Sequence, residues 1–384
     1  MKILMVAIPN HHFFQWVNQL KDSGHDIFWF DITDGGPQVE RINWVTQIKG
    51  WKLKQDYPFR STIKKQGPRL YKFLQKFNER DVTQVFKKTV NEIKPDIVHC
   101  FEMELSGLPI IDVMDKNDIP FVYSSWGSDM FFFEELGLNK IKVQQFLNRV
   151  NYLITDCKRD YELAKVNGFN SEFLGVFPGN GGLTIDVSKI KSVSDRNIIL
   201  VKGYEDGVGK AIKILEALEL LSDEIINNYQ IIIYSADQSV SNYIKKSRKL
   251  NELHITIYPR NGFIDNQLIL ELMGKSVLHI ASSISDGMPN ALLEAMSMGS
   301  FPIQSNPGRV SEEIITHNKN GFLINNPSDH QEIASHIEKA LGNKVLREEA
   351  QKINVNFINK HYNRAVLKFE LIDLYKKINK AIKN

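Results

Sequence analysis

The sequence predicts an α/β protein built as two Rossmann-like, doubly wound domains in series. Short apolar runs recur with enough chain between them for a helix, which is how buried parallel strands read. A polar, Gly- and Ser-rich break interrupts the pattern from Pro178 to Asp195, after which it restarts. The length of 384 residues exceeds what one compact core comfortably organises.

The first run covers residues 3–8, followed by a loop and a first helix. Strand candidates then follow at Ile27–Phe30, Asp96–His99, Pro120–Ser124, Tyr152–Ile154 and Phe173–Phe177. After the break come Ile198–Val201, Gln230–Tyr234, Ile255–Tyr258, Val277–Ala281 and Phe301–Gln304. Between the first two of these, Ala211, Ile214, Leu215, Leu218 and Leu221 stand at helical spacing. The C-terminal stretch has Val366, Phe369, Ile372 and Tyr375 on one stripe, so it reads as a helix with no strand after it. The expected domains are residues 1–182 and 196–360, with a terminal helix over about 363–384 packing elsewhere.

Composition narrows the function. Hydrophobic residues at 42% and charged residues at 24% are ordinary for a globular chain, and a net charge of +3 does not point to nucleic acid. Two cysteines cannot supply a disulfide framework or a structural zinc site, which fits a reducing cytoplasmic setting. No apolar run approaches the ~20 residues of a membrane span. Residues 41–80 differ from the rest, with eleven Lys or Arg against two carboxylates, interleaved with Trp44, Trp51, Tyr57, Phe59, Tyr71, Phe73 and Phe77. That mixture suits peripheral contact with the inner face of a membrane or with a phosphate-bearing lipid carrier; a solvated basic face over ordinary core aromatics fits it as well.

The sharpest chemical signal runs from Ser285 to Met296, after the strand ending near Ala281. Pro289 suits a first helical turn, where its missing N–H costs nothing. Free backbone N–H groups and the positive dipole end then face the loop of Asp286, Gly287, Met288, Pro289 and Asn290, and favour an anionic or hydroxyl-rich ligand. Asp286 before the helix and Glu294 within it are acceptor-only carboxylates that can hold hydroxyls at two points of one ligand. A second signal joins a strand to the amphipathic helix: Lys202, Gly203, Gly207, Gly209 and Lys210 combine close backbone approach with cations for a diphosphate. It is not a Walker A loop, because Gly203 is out of register and Ala211 lacks the hydroxyl.

Asp286-x7-Glu294 with the following Ala295-Met296-Ser297-Met298-Gly299, together with Glu313-Ile314-Ile315 and Asn318 to Ile324 downstream, resembles the Glu-x7-Glu segment and its continuation in family 4 retaining glycosyltransferases. The resemblance implies the GT-B fold: two Rossmann-like domains facing across a cleft, an acceptor-binding first domain, a donor-binding second domain, and a last helix crossing back to the first. It assigns the donor sugar to Asp286 and the nucleotide ribose to Glu294, with Asp standing where the family usually has Glu. It assigns the donor diphosphate to Lys202 and Lys210, where the family usually has Arg then Lys at a different spacing. Arg260-Asn261-Gly262-Phe263 falls where that family's backbone holds the nucleobase, and Gly209 lies in the diphosphate loop.

In the first half, Ser125-Trp126-Gly127-Ser128-Asp129 resembles a His/Trp-Gly-x-Asp segment on the acceptor side, on a loop just after a strand, where open α/β sheets bind ligands. A turn with Asp129 capping a helix is the plain alternative. Asn10, His11 and His12 stand where the family often carries Gly-Gly. His99 and His279, inside apolar strands, read as core residues.

The implied reaction moves a sugar from a nucleoside diphosphate sugar, a UDP-sugar by family habit, to a hydroxyl of a glycan or lipid-linked acceptor in surface polysaccharide or glycolipid synthesis. No Asp-x-Asp pair or histidine cluster offers a metal site, so no metal or other cofactor is expected. The rivals are a non-catalytic sugar-nucleotide-binding protein and a sugar-nucleotide epimerase or hydrolase of the same fold. An oxidoreductase fits poorly, since no Gly-x-Gly-x-x-Gly follows the first strand.

Overall fold

A computed structural model of the chain describes residues 1–262 and 264–383, with Ser61 described by its backbone alone. Phe263 of the Arg260 segment and Asn384 at the end of the expected terminal helix lie outside the described residues. The chain divides into two compact units: one takes Met1–Asp156, Asp160–Gly181 and the residues from Lys368 onward, the other Cys157–Arg159 and Gly182–Leu367.

Among the described residues the first unit contains seven strands, β1 (Lys2–Ala7), β2 (Asp26–Asp31), β3 (Thr46–Ile48), β4 (Ile97–Phe101), β5 (Phe121–Ser124), β6 (Tyr152–Thr155) and β7 (Glu172–Val176). They form one parallel sheet in the order β3-β2-β1-β4-β5-β6-β7. Strands β1 and β4 are buried almost throughout, as strands covered on both faces must be. One face packs Leu4, Val98, Phe121 and Tyr123 against Phe86 and Phe146. The other carries an aromatic cluster in which Phe13 meets Trp29 at 5.2 Å and Phe101 at 5.3 Å between ring centroids. Each such buried side chain contributes roughly 1.5–3 kcal/mol.

The second unit contains β8 (Ile198–Lys202), β9 (Gln230–Ala236), β10 (Ile255–Pro259), β11 (Ser276–Ala281), β12 (Phe301–Ser305) and β13 (Phe322–Ile324), all parallel, in the order β10-β9-β8-β11-β12-β13. In each sheet the winding reverses once, between β1 and β4 and between β8 and β11. Chain segments leaving neighbouring strands there diverge to opposite faces and leave a crevice at the carboxyl ends, the place where such sheets bind ligands.

Two sequence readings need correction. The edge strand β3 is three largely polar residues inside the basic stretch, too short for periodicity to register. The terminal helix, Arg364–Lys383, buries Leu367, Leu371, Leu374, Tyr375 and Ile378, while Val366 and Phe369 of the expected stripe are exposed, Phe369 by 75%. Val366 and Phe369 lie about 150° around the helix from the middle of the buried stripe, and the longer stripe packs. In the first unit the Tyr375 hydroxyl accepts from Trp16 Nε1 at 3.1 Å and bonds His99 Nδ1 at 2.7 Å, while His99 Nε2 meets Ser124 Oγ at 2.8 Å. Burial holds His99 neutral, with its pKa lowered to about 3.

Candidate active site

The second unit gathers most of the chemistry at its switch point. Strand β8 ends on Lys202 and turns sharply at Gly203, where a Cβ would sit 2.6 Å from Ala236 Cα. The loop to the helix Ala211–Leu220 is pinned by its own acids. Asp206 accepts from Gly209 N at 3.0 Å, and Glu205 accepts from Ile212 N at 2.8 Å in the first helical turn. Gly209 pairs with Ser283, and the Lys210 amide donates to the Ser282 carbonyl at 2.9 Å, so this loop is stitched to the loop leaving β11.

The β11 loop carries Ser285, Asp286, Gly287, Met288 and Pro289 into the helix Asn290–Ser297. Pro289 stands one position earlier than the sequence suggests: it is the N-cap, and its carbonyl accepts from Leu292 and Leu293. Met288 is not free to contact a ligand through its side chain, which is 4% exposed and packs with Leu292, Leu293 and Met296. It fixes the loop from beneath. Asn290 opens the helix.

Asp286 and Glu294 are both partly exposed. Desolvation raises both carboxyls, Glu294 to about 7. Lys202 opposes the rise at both, and a bond from the Gly287 amide opposes it at Asp286. The ammonium felt by the two acids is therefore that of Lys202. Two further cations act on the pair, Arg159 on Asp286 and Arg364 on Glu294. Arg159 also donates to the Asp286 carbonyl at 2.8 Å and to the Pro307 carbonyl at 2.9 Å, holding the loop. Asn266 Nδ2 lies 3.5 Å from Glu294 Oε1.

Tyr204 links this charge cluster to the β10 loop. Lys202 Nζ lies 4.4 Å from the centre of its ring, and the Arg260 guanidinium carbon 3.9 Å from the same ring. Arg260 is in turn ion-paired with Asp206 at 2.8 Å and Asp237 at 3.1 Å. Its amide donates to the Ala236 carbonyl and the Gly262 amide to the Pro259 carbonyl, so Arg260, Asn261 and Gly262 form a turn at the sheet's rim. The Arg260 side chain serves the protein's own network.

The first unit brings two separated sequence segments together beyond β1 and β5. Asn10 caps the first helix, His11–Asn18, by accepting from Phe13 N at 2.9 Å. His11 bonds Gln15 and Arg41, each at 3.3 Å, while the His12 ring meets Trp126 edge-on at 6.1 Å. Among the described residues, Trp126 Nε1 is buried with no hydrogen-bond partner. Gly127, at φ +94°, turns the chain into the short helix Ser128–Phe131. Asp129 departs from the acceptor-side reading. Its carboxylate is buried and accepts from Met103 N at 2.8 Å, Tyr123 Oη at 2.6 Å and Trp126 N at 2.9 Å. It lies inside that short helix and holds the Trp126 loop. Nearby Glu102 is raised to about 8 by burial and by Asp129, and has φ +70°. His279, behind Lys202, bonds Tyr234 Oη at 2.9 Å and is lowered to about 3 by burial, as a core histidine would be.

Sequence reasoning missed Tyr204, Arg159, Asn266, Arg364 and Glu102. Arg159 had a usable signal, because it follows a strand end as the Trp126 loop does; the others depend on packing that spacing does not encode.

Two family models match the chain, "Glycosyl transferases group 1" over residues 185–359 and "Glycosyl transferase 4-like" over residues 2–157. No curated protein sequence matches it significantly. Among solved structures, sucrose-phosphate synthase from Thermosynechococcus elongatus superposes with a TM-score of 0.73 at 14% identity, covering 99% of this chain and 100% of that one. Anabaena HepE in complex with UDP and glucose gives a TM-score of 0.69 at 13% identity over 98% and 100% of the two chains. The lipopolysaccharide outer core galactosyltransferase WaaB gives 0.69 at 16% identity over 98% and 99%. The two family models, matching residues 2–157 and 185–359, show that the chain belongs to the group 1 glycosyl transferases, and the solved structures show that its fold is GT-B.

Proposed function

We propose that the protein is a retaining glycosyltransferase that moves a sugar from a UDP-sugar to a hydroxyl of a glycan or lipid-linked acceptor. The observation that carries this reading is the charge layout of the second unit: Lys202 acts on Asp286 and Glu294 at the mouth of a helix N-terminus. An anionic diphosphate with a sugar on one side and a ribose on the other is the ligand class that such a layout suits. The HepE structures carry UDP and UDP-glucose, which supports the choice of nucleotide.

In the proposed step the bond from the anomeric carbon to the diphosphate oxygen breaks. The acceptor oxygen bonds to that carbon on the same face, and its proton passes to the departing phosphate. Charge grows on the diphosphate, where Lys202, Lys210 and the amides opening the helix Asn290–Ser297 would stabilise it. Such preorganised charge stabilisation is usually what lowers the barrier most. These cations take the part a divalent metal plays elsewhere, and the proposal includes no cofactor. Asp286 would hold the donor sugar and Glu294 the ribose; neither is assigned as a nucleophile. His11, His12 and Trp126 of the first unit would bind the acceptor. Its setting would be peripheral to the cytoplasmic membrane face, in surface glycan or glycolipid synthesis.

The test is NMR analysis of the product formed from UDP-sugars and a panel of glycan and glycolipid acceptors. A new glycosidic bond with the donor's anomeric configuration is expected. An inverted product would overturn retention. Donor turnover without any acceptor product would point to an epimerase or hydrolase, and nucleotide binding with no turnover to a non-catalytic protein.

A further inference from the structure

We propose that the helix Pro68–Asn78 is a membrane-docking element that lies on bilayers rich in anionic lipid headgroups. The aromatic residues of the basic stretch divide into two groups. Trp51 is buried, stacks on Phe30 at 5.0 Å and donates to the Asp31 carbonyl; Trp44 donates to Asn18, and Tyr57 accepts from Gln75. These hold the first unit together. Tyr71 is half-buried beneath Lys64, and the other group faces outward: Phe59 is 77% exposed, Phe73 58% and Phe77 67%, with Leu70 beside them at 55%.

On the helix the second group is ordered. At 100° per residue, Leu70, Phe73 and Phe77 fall within about 60° of one another, and Phe73 and Phe77 touch at 5.4 Å between ring centroids. Arg69, Lys72 and Lys76 form the adjoining stripe, also exposed, while the buried Gln75 lies on the opposite side. From Tyr57 to Asn78 there are six Lys or Arg and no carboxylate. An apolar stripe flanked on one side by cations, on a helix with no carboxylate, is the layout of a helix lying in the plane of a membrane interface. A protein partner fits less well, because protein interfaces are depleted in lysine around their aromatic anchors. The helix is 11 residues long, far short of the ~20 a span requires, so it docks without crossing.

The test is co-sedimentation of the full-length protein with sucrose-loaded vesicles of phosphatidylcholine alone or with about one third phosphatidylglycerol. The mixed vesicles should bind at least about tenfold tighter, with most of that gain gone at about 500 mM NaCl. F73S/F77S and K72Q/K76Q should each lose about tenfold or more, with thermal unfolding and circular dichroism as in the wild type. Equal or absent binding to both vesicles would overturn the proposal, as would either well-folded double variant binding as the wild type does. A wild-type dimer that F73S/F77S converts to monomer, without vesicle binding, would also overturn it and give the face to a second copy of the chain.

Discussion

Replacing Glu294 by Gln should make the protein more stable at pH 8 while removing its donor binding. The carboxyl is raised from an ordinary 4.5 to about 7, chiefly by desolvation. Below pH 4.5 it is protonated in both folded and unfolded chains, and no penalty exists. As pH rises the unfolded chain releases this proton first, so native stability falls through the window from 4.5 to 7, and the loss is complete by pH 8. At 1.36 kcal/mol per pH unit that is about 3 kcal/mol, and the partial exposure of the side chain brings it to about 2 kcal/mol. Gln keeps the shape and can keep the contact with Asn266. Over a unit of this size the melting temperature should rise by about 5 °C at pH 8 and by almost nothing at pH 4.5. Thermal unfolding at the two pH values, beside calorimetric titration of UDP, reads both effects. A melting temperature that falls at pH 8 would refute the reasoning, since Glu294 would then be an ordinary stabilising residue.

Lys202→Ala should weaken UDP binding by tenfold or more and lower turnover by about a hundredfold, with Lys202→Arg recovering part of both, measured by titration and initial rates. Tyr204→Phe should retain UDP affinity while Tyr204→Leu loses about three- to thirtyfold, because the ring face that meets Lys202 and Arg260 survives only in the first. Gly209→Ala should lower activity sharply, since its Cβ would sit 2.4 Å from the Tyr204 carbonyl oxygen and displace the loop that carries Lys210. Tyr375→Phe should destabilise the first unit by about 1–3 kcal/mol in urea unfolding, because His99 and Trp16 lose a buried partner.

Much of the fold was legible because parallel strands buried on both faces leave continuous apolar runs: β1, β4 and β11 are of that kind. The edge strand β3 left no such mark. The terminal helix was legible as a helix, but its packing face was not, since two apolar stripes compete and only tertiary contact selects Leu371 and Leu374 over Val366 and Phe369. In the site, Asp286, Glu294 and Lys202 follow strand ends and were readable from position. Met288 in the Asp286 loop and Asp129 beside Trp126 turn inward, which loop sequence cannot tell. Tyr204 stood in plain view between Lys202 and Lys210, but its meeting with Arg260 depends on where β10 ends.

The most direct test is calorimetric titration of UDP into the wild type, Lys202→Ala and Glu294→Ala at pH 8. Saturable binding of one UDP per chain, weakened at least about tenfold in each variant, is the predicted result. Binding of equal strength in all three proteins would contradict it, because the nucleotide would then lie away from the β8–β11 switch point.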